Sequence, residues 1–305
     1  MDSFIKTPPR RELTKAETIR MGLLSALLGP LYLTMAWLRG GPGIGTHLAC
    51  MAKGLRLTIK KPCKRHARWI YLPLDSTRYF EIPFACRHAR DFQAWLDVSS
   101  PRQLPALVLS GNRPRSTSTM LTNPDPGDLN ETREMADLLE IKCDTANKAV
   151  EALEEELRFD FITCISVLEH VPDDTSALKK MWEMLTPGGR LVLTVPASAE
   201  GGTQMMDCDP YGLNRTAKGG FFFQRFYSSA QVRRFDIITG TPIACEVWGE
   251  RKCGWLQANF EVKRQNVLYP VWREPYEVAR NWKRFQTVED LPGEGVFCAV
   301  YQKPR

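Results

Sequence analysis

Between residues 94 and 302 short apolar runs alternate with stretches whose apolar positions recur every three to four residues. The runs at 94–98, 119–122, 141–143, 159–167 and 190–195 read as buried strands. The stretches at 128–140, 147–157 and 175–185 read as helices, and Ser100-Pro101 marks a further helix start, with Ser as N-cap and Pro at the first helical position. Asn123-Pro124-Asp125-Pro126-Gly127 and Pro187-Gly188-Gly189 punctuate the pattern as turns. A helix over 228–239 and strands over 242–249 and 295–302 complete it.

Strand and helix in alternation imply parallel β-α-β units, with right-handed crossovers and helices on both faces of one sheet. In such sheets a ligand crevice lies outside the carboxyl ends of the strands. The turns there bring together Asp97 to Ser100, Asn123, Asp125, Asp144 and Ser166 to His170.

The first third of the chain follows a different pattern. Residues 21–38 carry no charge and are flanked by Arg20 and Arg39. As one helix they would span about 27 Å, just short of a hydrocarbon core of about 30 Å. Gly29-Pro30 interrupts the run. Three arrangements follow: two short helices packed as a lid, a segment lying on a membrane surface, or a span. Gly40 to Gly45 reads as a flexible connection. Residues 1–70 are thus a basic extension with an apolar helical segment at 21–38, and residues 71–305 the main domain.

Charge sharpens this division. The formal net charge is +6, yet residues 1–68 hold thirteen Lys and Arg against three acids, so the remainder is net acidic. A basic extension favours anionic partners such as lipid headgroups, and peripheral membrane contact through residues 1–68 is one expectation. Nucleic acid is not expected, since no binding module accompanies the charge. The nine Cys contain no C-x-x-C pair, which points to a reducing, cytoplasmic compartment and to no structural zinc site. Cys164 and Cys298 lie inside apolar runs and read as core residues.

The stretch from Phe159 to Val171, reading FDFITCISVLEHV, followed by Pro172-Asp173, a helix and LTPGGRLVL, resembles the fourth-strand region of class I S-adenosylmethionine-dependent methyltransferases. The similarity covers roughly residues 92–305. It implies an α/β, Rossmann-like, seven-stranded sheet, mostly parallel with an antiparallel last strand, and S-adenosylmethionine as cofactor. It also implies that Asp97 and the turn after it face the methionine end of the cofactor. Asn123 falls where the family has the acid that binds the ribose hydroxyls, with Asp125 two residues on. Asp144 matches the acid near the adenine, and Ser166 lines the methyl-transfer crevice. Residues 201–227, including Asp207, Asp209, Tyr211, Arg215 and the run Phe221 to Phe223, would cover the substrate together with the N-terminal extension.

One motif departs from the family. After the first strand the chain reads Asp97-Val98-Ser99-Ser100-Pro101 where members have glycines. Glycine lets the backbone approach a ligand without a Cβ between them. Ser99 and Ser100 would instead offer hydroxyls to the cofactor's carboxylate, or close the site. The resemblance therefore leaves two functions open. One is methyl transfer to a small-molecule, glycan or lipid-linked acceptor. The other is a non-catalytic binding or scaffold role. For transfer to a hydroxyl, His170 is the candidate base, with a reference pKa of about 6.5, and Glu169 beside it an orienting group. No metal site is expected, for want of a third ligand at useful spacing.

Overall fold

The computed structural model describes residues 3–5, 14–89, 91–109, 118–209, 216–217, 220–265 and 271–305. Tyr211, Arg215 and the basic residues Lys6, Arg10 and Arg11 lie outside these. In chain order the elements begin with β1 (Ser3–Ile5), α1 (Lys15–Leu38), α2 (Ile44–Lys60), α3 (Lys64–Tyr71), α4 (Arg78–His88), β2 (Ala94–Val98) and α5 (Gln103–Leu109). Next come β3 (Ser118–Thr122), α6 (Pro126–Leu139), β4 (Asp144–Ala146), β5 (Phe159–Ile165), α7 (Asp174–Met184) and β6 (Leu185–Ala197). The rest is β7 (Gly202–Met206), β8 (Thr216–Ala217), β9 (Gly220–Phe226), α8 (Ser229–Thr239), β10 (Ala244–Glu250), α9 (Trp255–Gln265), α10 (Glu274–Asn281), β11 (Trp282–Phe285) and β12 (Gly295–Gln302).

The main sheet has the order β11-β10-β12-β6-β5-β2-β3-β4. Strands β4, β3, β2, β5 and β6 run parallel, as the alternation predicts. Strand β12 inserts antiparallel between β6 and β10. The sheet has eight strands rather than seven, because residues 282–285 add β11 as an antiparallel edge on β10.

Alternating side chains feed two cores. Leu96, Ile162, Leu191 and Leu193 pack with Leu178, Met181 and Phe235 of α7 and α8 on one face. Trp95, Phe161, Val192 and Val300 pack with Phe80, Phe84, Leu104 and Val278 of α4, α5 and α10 on the other. Cys164 and Cys298 are buried, as their settings predict. A second sheet, β1-β7-β9-β8, sits outside this body.

Four local expectations fail, each for a physical reason. Pro30 does not divide the apolar segment, and α1 is one continuous helix. The residue before it is Gly29, which lacks the Cβ that clashes with a proline ring. The turn after α1 is packed rather than loose, for a Cβ on Gly43 would stand 2.4 Å from the Tyr79 carbonyl oxygen. The strand expected at 141–143 lies at Asp144–Ala146 instead. Ile141 is used to end α6: Glu140 takes a left-handed φ of 60°, and the Ile141 N–H bonds back to the Ala136 carbonyl. The helix expected over 147–157 is a single 3₁₀ turn, Val150–Ala152. Val150 and Leu153 are buried at a spacing of three, which one 3₁₀ turn satisfies, and the acids that follow stay exposed.

Candidate active site at the strand tips

The tip of β2 is closed by its own polar groups. Ser99 adopts a left-handed φ of 50°. Its N–H and its hydroxyl both donate to the Thr122 carbonyl, at 2.9 and 3.0 Å. Ser100 Oγ accepts from the Ile165 N–H at 3.2 Å, and Ser100 also hydrogen-bonds the Asp97 carboxylate. Asp97 is buried and accepts from the Thr163 hydroxyl at 2.5 Å, which itself accepts from Trp95 Nε1 at 2.9 Å. Burial pushes the Asp97 carboxyl up to about 6, against the pull of these hydrogen bonds.

At the tip of β3, Asn123 Nδ2 donates to Asp128 at 2.7 Å and Asn123 Oδ1 accepts from the Asp125 N–H at 2.9 Å. Asp125 is the N-cap of α6, accepting from the Gly127 and Asp128 N–H groups. Arg102 pairs with Asp128 and Glu131, tying the β2 loop to α6. Asp144 is not at a strand tip. It is exposed and pairs with Met120 at the first position of β4, two residues before the crevice. Asn147 stands at that tip instead, its Nδ2 bonding the Asn123 and Pro124 carbonyls at 2.8 and 3.1 Å.

The tip of β5 holds the densest polar cluster. Ser166 also takes a left-handed φ, 51°, and its N–H meets the Thr194 carbonyl at 3.0 Å. Its hydroxyl donates to Glu81, as does the Thr194 hydroxyl at 2.9 Å. Glu81 comes from α4, is fully buried and pairs with Arg78 at 2.7 Å. Glu169 is buried beside them with Oε2 lacking any hydrogen-bond partner. Burial, with the Glu81 charge adding to it, pushes the Glu169 carboxyl up to about 8. Burial thus favours the protonated form of Glu169. His170 Nδ1 donates to the Phe223 carbonyl at 2.7 Å, which leaves Nε2 as the acceptor nitrogen, 3.8 Å from Glu169.

The small sheet straps this loop down. Arg225 of β9 donates to the Pro172 carbonyl at 2.8 Å and pairs with Asp174 at 2.6 Å, and the Tyr227 hydroxyl donates to Asp174 at 3.0 Å.

A family model described as a methyltransferase domain matches residues 95–236, which span all the strand tips described above. This segment is similar to methyltransferase domains. Curated relatives include ubiquinone biosynthesis O-methyltransferases. The protein of Pseudomonas putida strain W619 is 29% identical over 96 residues, covering 30% of this chain and 41% of its own. That of Pseudomonas putida strain GB-1 is 46% identical over 96 residues with the same coverage. The chain thus spans well under half the length of these relatives. Among solved structures, the Burkholderia thailandensis 1,6-didemethyltoxoflavin N1-methyltransferase has 14% identity, a TM-score of 0.48, and covers 83% of this chain and 89% of its own. The N-methyltransferase NodS of Bradyrhizobium japonicum has 13% identity, a TM-score of 0.44, and covers 83% and 99%.

Within the matched segment, Ser99, Ser100, Asn123, Asp125, Ser166, Glu169 and His170 all stand at strand tips, and Asp97 lies just beneath them; Asp144 does not join them. Glu81, from a helix that precedes the matched segment, joins the cluster unforeseen. Its signal was present: a lone acid inside the run Tyr79-Phe80-Glu81-Ile82-Pro83-Phe84 must find partners wherever that helix is buried.

Proposed function

We propose that this protein is an S-adenosylmethionine-dependent methyltransferase acting on a hydroxyl of a small-molecule, glycan or lipid-linked acceptor. The observation that carries this reading is Ser99. It holds the left-handed conformation at the first strand tip, where family members place glycine, so the loop keeps its course although it bears side chains. The names of the curated relatives support oxygen as the accepting atom.

The polar set at the tips fits a nucleoside cofactor. Asn123, with Asp125 and Asn147 beside it, offers both donors and acceptors to a ribose, and Ser99 and Ser166 flank the way into the crevice. The bound cofactor supplies an activated methyl group on a sulfonium. The chain must hold the acceptor in line and take its proton. His170 is the base in this proposal, since the Phe223 carbonyl fixes its Nδ1 as donor and turns Nε2 into the acceptor. Glu169, buried 3.8 Å from His170 Nε2, is in this proposal a positioning residue for that base. Asp144 has no part.

A second reading has its own observation. The hydroxyls of Ser99 and Ser100 and the side chain of Asn123 are all satisfied within the protein. That arrangement suits a methyltransferase fold turned to partner binding. Calorimetry and thermal shift with S-adenosylmethionine and S-adenosylhomocysteine separate the two. A ligand at a hundred times its Kd stabilises by about 2.7 kcal/mol, so a melting rise of roughly 5 °C is expected. Ser99→Gly, which removes the side chain and the left-handed strain, should bind more tightly. Absence of heat and of any shift with both ligands rejects the enzyme.

We also place the protein at the cytoplasmic surface of a membrane. Helix α1 is long and apolar enough to cross one, and very little of it is buried. Leu23, Leu27, Leu31 and Trp37 on it are more than half exposed. Lys15, Arg20 and Arg39 supply charge for anionic headgroups.

A further inference from the structure

Helix α4 packs on the sheet through an apolar set. Tyr79, Phe80, Ile82, Phe84 and Ala85 are all buried, and Phe80 and Phe84 pack with Phe161, Ile165 and Val192 of β5 and β6. Glu81 interrupts this set with a fully buried carboxylate.

A charge is a poor means of holding a helix on a sheet. Desolvating a carboxylate is costly, and apolar side chains of similar volume in place of a buried ion pair often leave stability unchanged or raised. Leucine at 81 would serve packing alone. The carboxylate adds the capacity to accept hydrogen bonds, and its donors locate its purpose.

Glu81 Oε1 accepts from two hydroxyls, that of Ser166 and, at 2.9 Å, that of Thr194. Oε2 accepts from Arg78 Nη1 at 2.7 Å. Thr194 is fully buried on β6, and its hydroxyl oxygen accepts in turn from the Ser166 N–H at 3.1 Å. Glu81 thus holds Ser166 twice, directly by its side chain and through Thr194 by its backbone. Ser166 is the residue of left-handed φ at the end of β5. The N–H just before it, that of Ile165, bonds Ser100 Oγ at the tip of β2. The 3₁₀ turn that follows, Leu168–His170, carries Glu169 and His170. Glu81 itself lies outside residues 95–236, the segment similar to methyltransferase domains.

We propose that Glu81 is a positioning residue of the crevice: from outside the matched segment it fixes Ser166 and the turn leading to His170, so that this wall is formed before a ligand enters. Being fully buried, Glu81 touches no ligand and acts through Ser166 and Thr194. A wall set in advance spares the ligand the cost of ordering it. The proposal rests on the methyltransferase reading above.

The test uses the full chain, with calorimetry of S-adenosylhomocysteine and thermal melting of the same samples. Glu81→Leu keeps a side chain of similar size and accepts no hydrogen bond. Its melting temperature should equal or exceed that of the wild type, while S-adenosylhomocysteine binds roughly tenfold more weakly, the scale of one charge-assisted hydrogen bond. Glu81→Gln keeps an acceptor oxygen for the two hydroxyls and should recover affinity to within about threefold of the wild type. A residue that only fastens α4 gives the opposite pattern, a lower melting temperature and unchanged affinity. Thr194→Val keeps the shape, loses the hydroxyl and should weaken binding several-fold; it decides the matter should Glu81→Leu melt lower or not fold. In the double change Glu81→Leu, Thr194→Val the two losses should not add, because both break one chain of contacts. A wild type that gives no heat rejects the cofactor reading and this proposal with it. Wild-type binding with equal affinity in Glu81→Leu and Thr194→Val rejects the proposal alone, as does full additivity in the double change.

Discussion

Ser99 and Ser166 each take a left-handed backbone that costs an ordinary residue about 1–2 kcal/mol. Both stand where the chain leaves a parallel strand, and both are bonded to a carbonyl of the neighbouring strand, that of Thr122 or of Thr194. Side-chain type was readable at these places, but backbone shape was not, since serine does not announce a positive φ. Glu169 gives the sharpest test at this scale. Its carboxyl moves from an ordinary 4.5 to about 8 on folding. The folded chain thus keeps a proton that the unfolded chain releases, and stability falls as pH rises from about 4.5 to about 8, by up to about 1.4 kcal/mol per pH unit. Glu169→Gln mimics the protonated acid and cannot ionise. Its melting temperature should match the wild type near pH 5 and exceed it by roughly 5 °C or more at pH 8.5. Equal curves at both values would show that Glu169 is ionised in the folded protein.

Elements with strong internal pattern were legible, and those set by a neighbour were not. Strand β5 was plain because six of its seven residues are buried, while Asp160 caps the Gln93 and Ala94 N–H groups at 2.8 and 2.9 Å. Strand β4 was misplaced by three residues because Ile141, apolar and β-branched, serves the end of α6 instead. The loop before α9 depends on one acid in the same hidden way. Glu250 is fully buried and accepts from the Gly254, Leu256 and Glu294 N–H groups at 2.8, 2.7 and 3.0 Å. A Cβ on Gly293 would stand 1.9 Å from its Oε1. Gly293→Ala should displace the carboxylate, leave buried donors unpaired and cost about 2–4 kcal/mol, seen as a lower urea midpoint. An unchanged midpoint would mean that the loop shifts freely.

At the scale of the molecule, the α/β alternation and the main sheet followed from the apolar runs, whereas β11 and Glu81 depended on contacts across long sequence separation. The apolar α1 and the basic excess around it were visible at once, but which side of α1 faces outward needed the fold. Leu27 and Leu31, 74% and 55% exposed, are the residues to alter. The double change Leu27→Glu, Leu31→Glu should abolish co-sedimentation with phosphatidylglycerol vesicles while leaving the melting temperature within about 2 °C, since surface substitutions change stability little. Retained sedimentation would remove α1 from membrane contact. The place of β12 between β6 and β10 bears on the order of assembly during synthesis. The sheet's other edge, from β4 to β6, can form while translation continues. Strands β10 and β11 have no seat until residues 295–302 leave the ribosome, so a nascent chain must carry an open edge on β6 and the aromatic surface of Trp248 and Trp282 until then, a window in which a holding chaperone would bind.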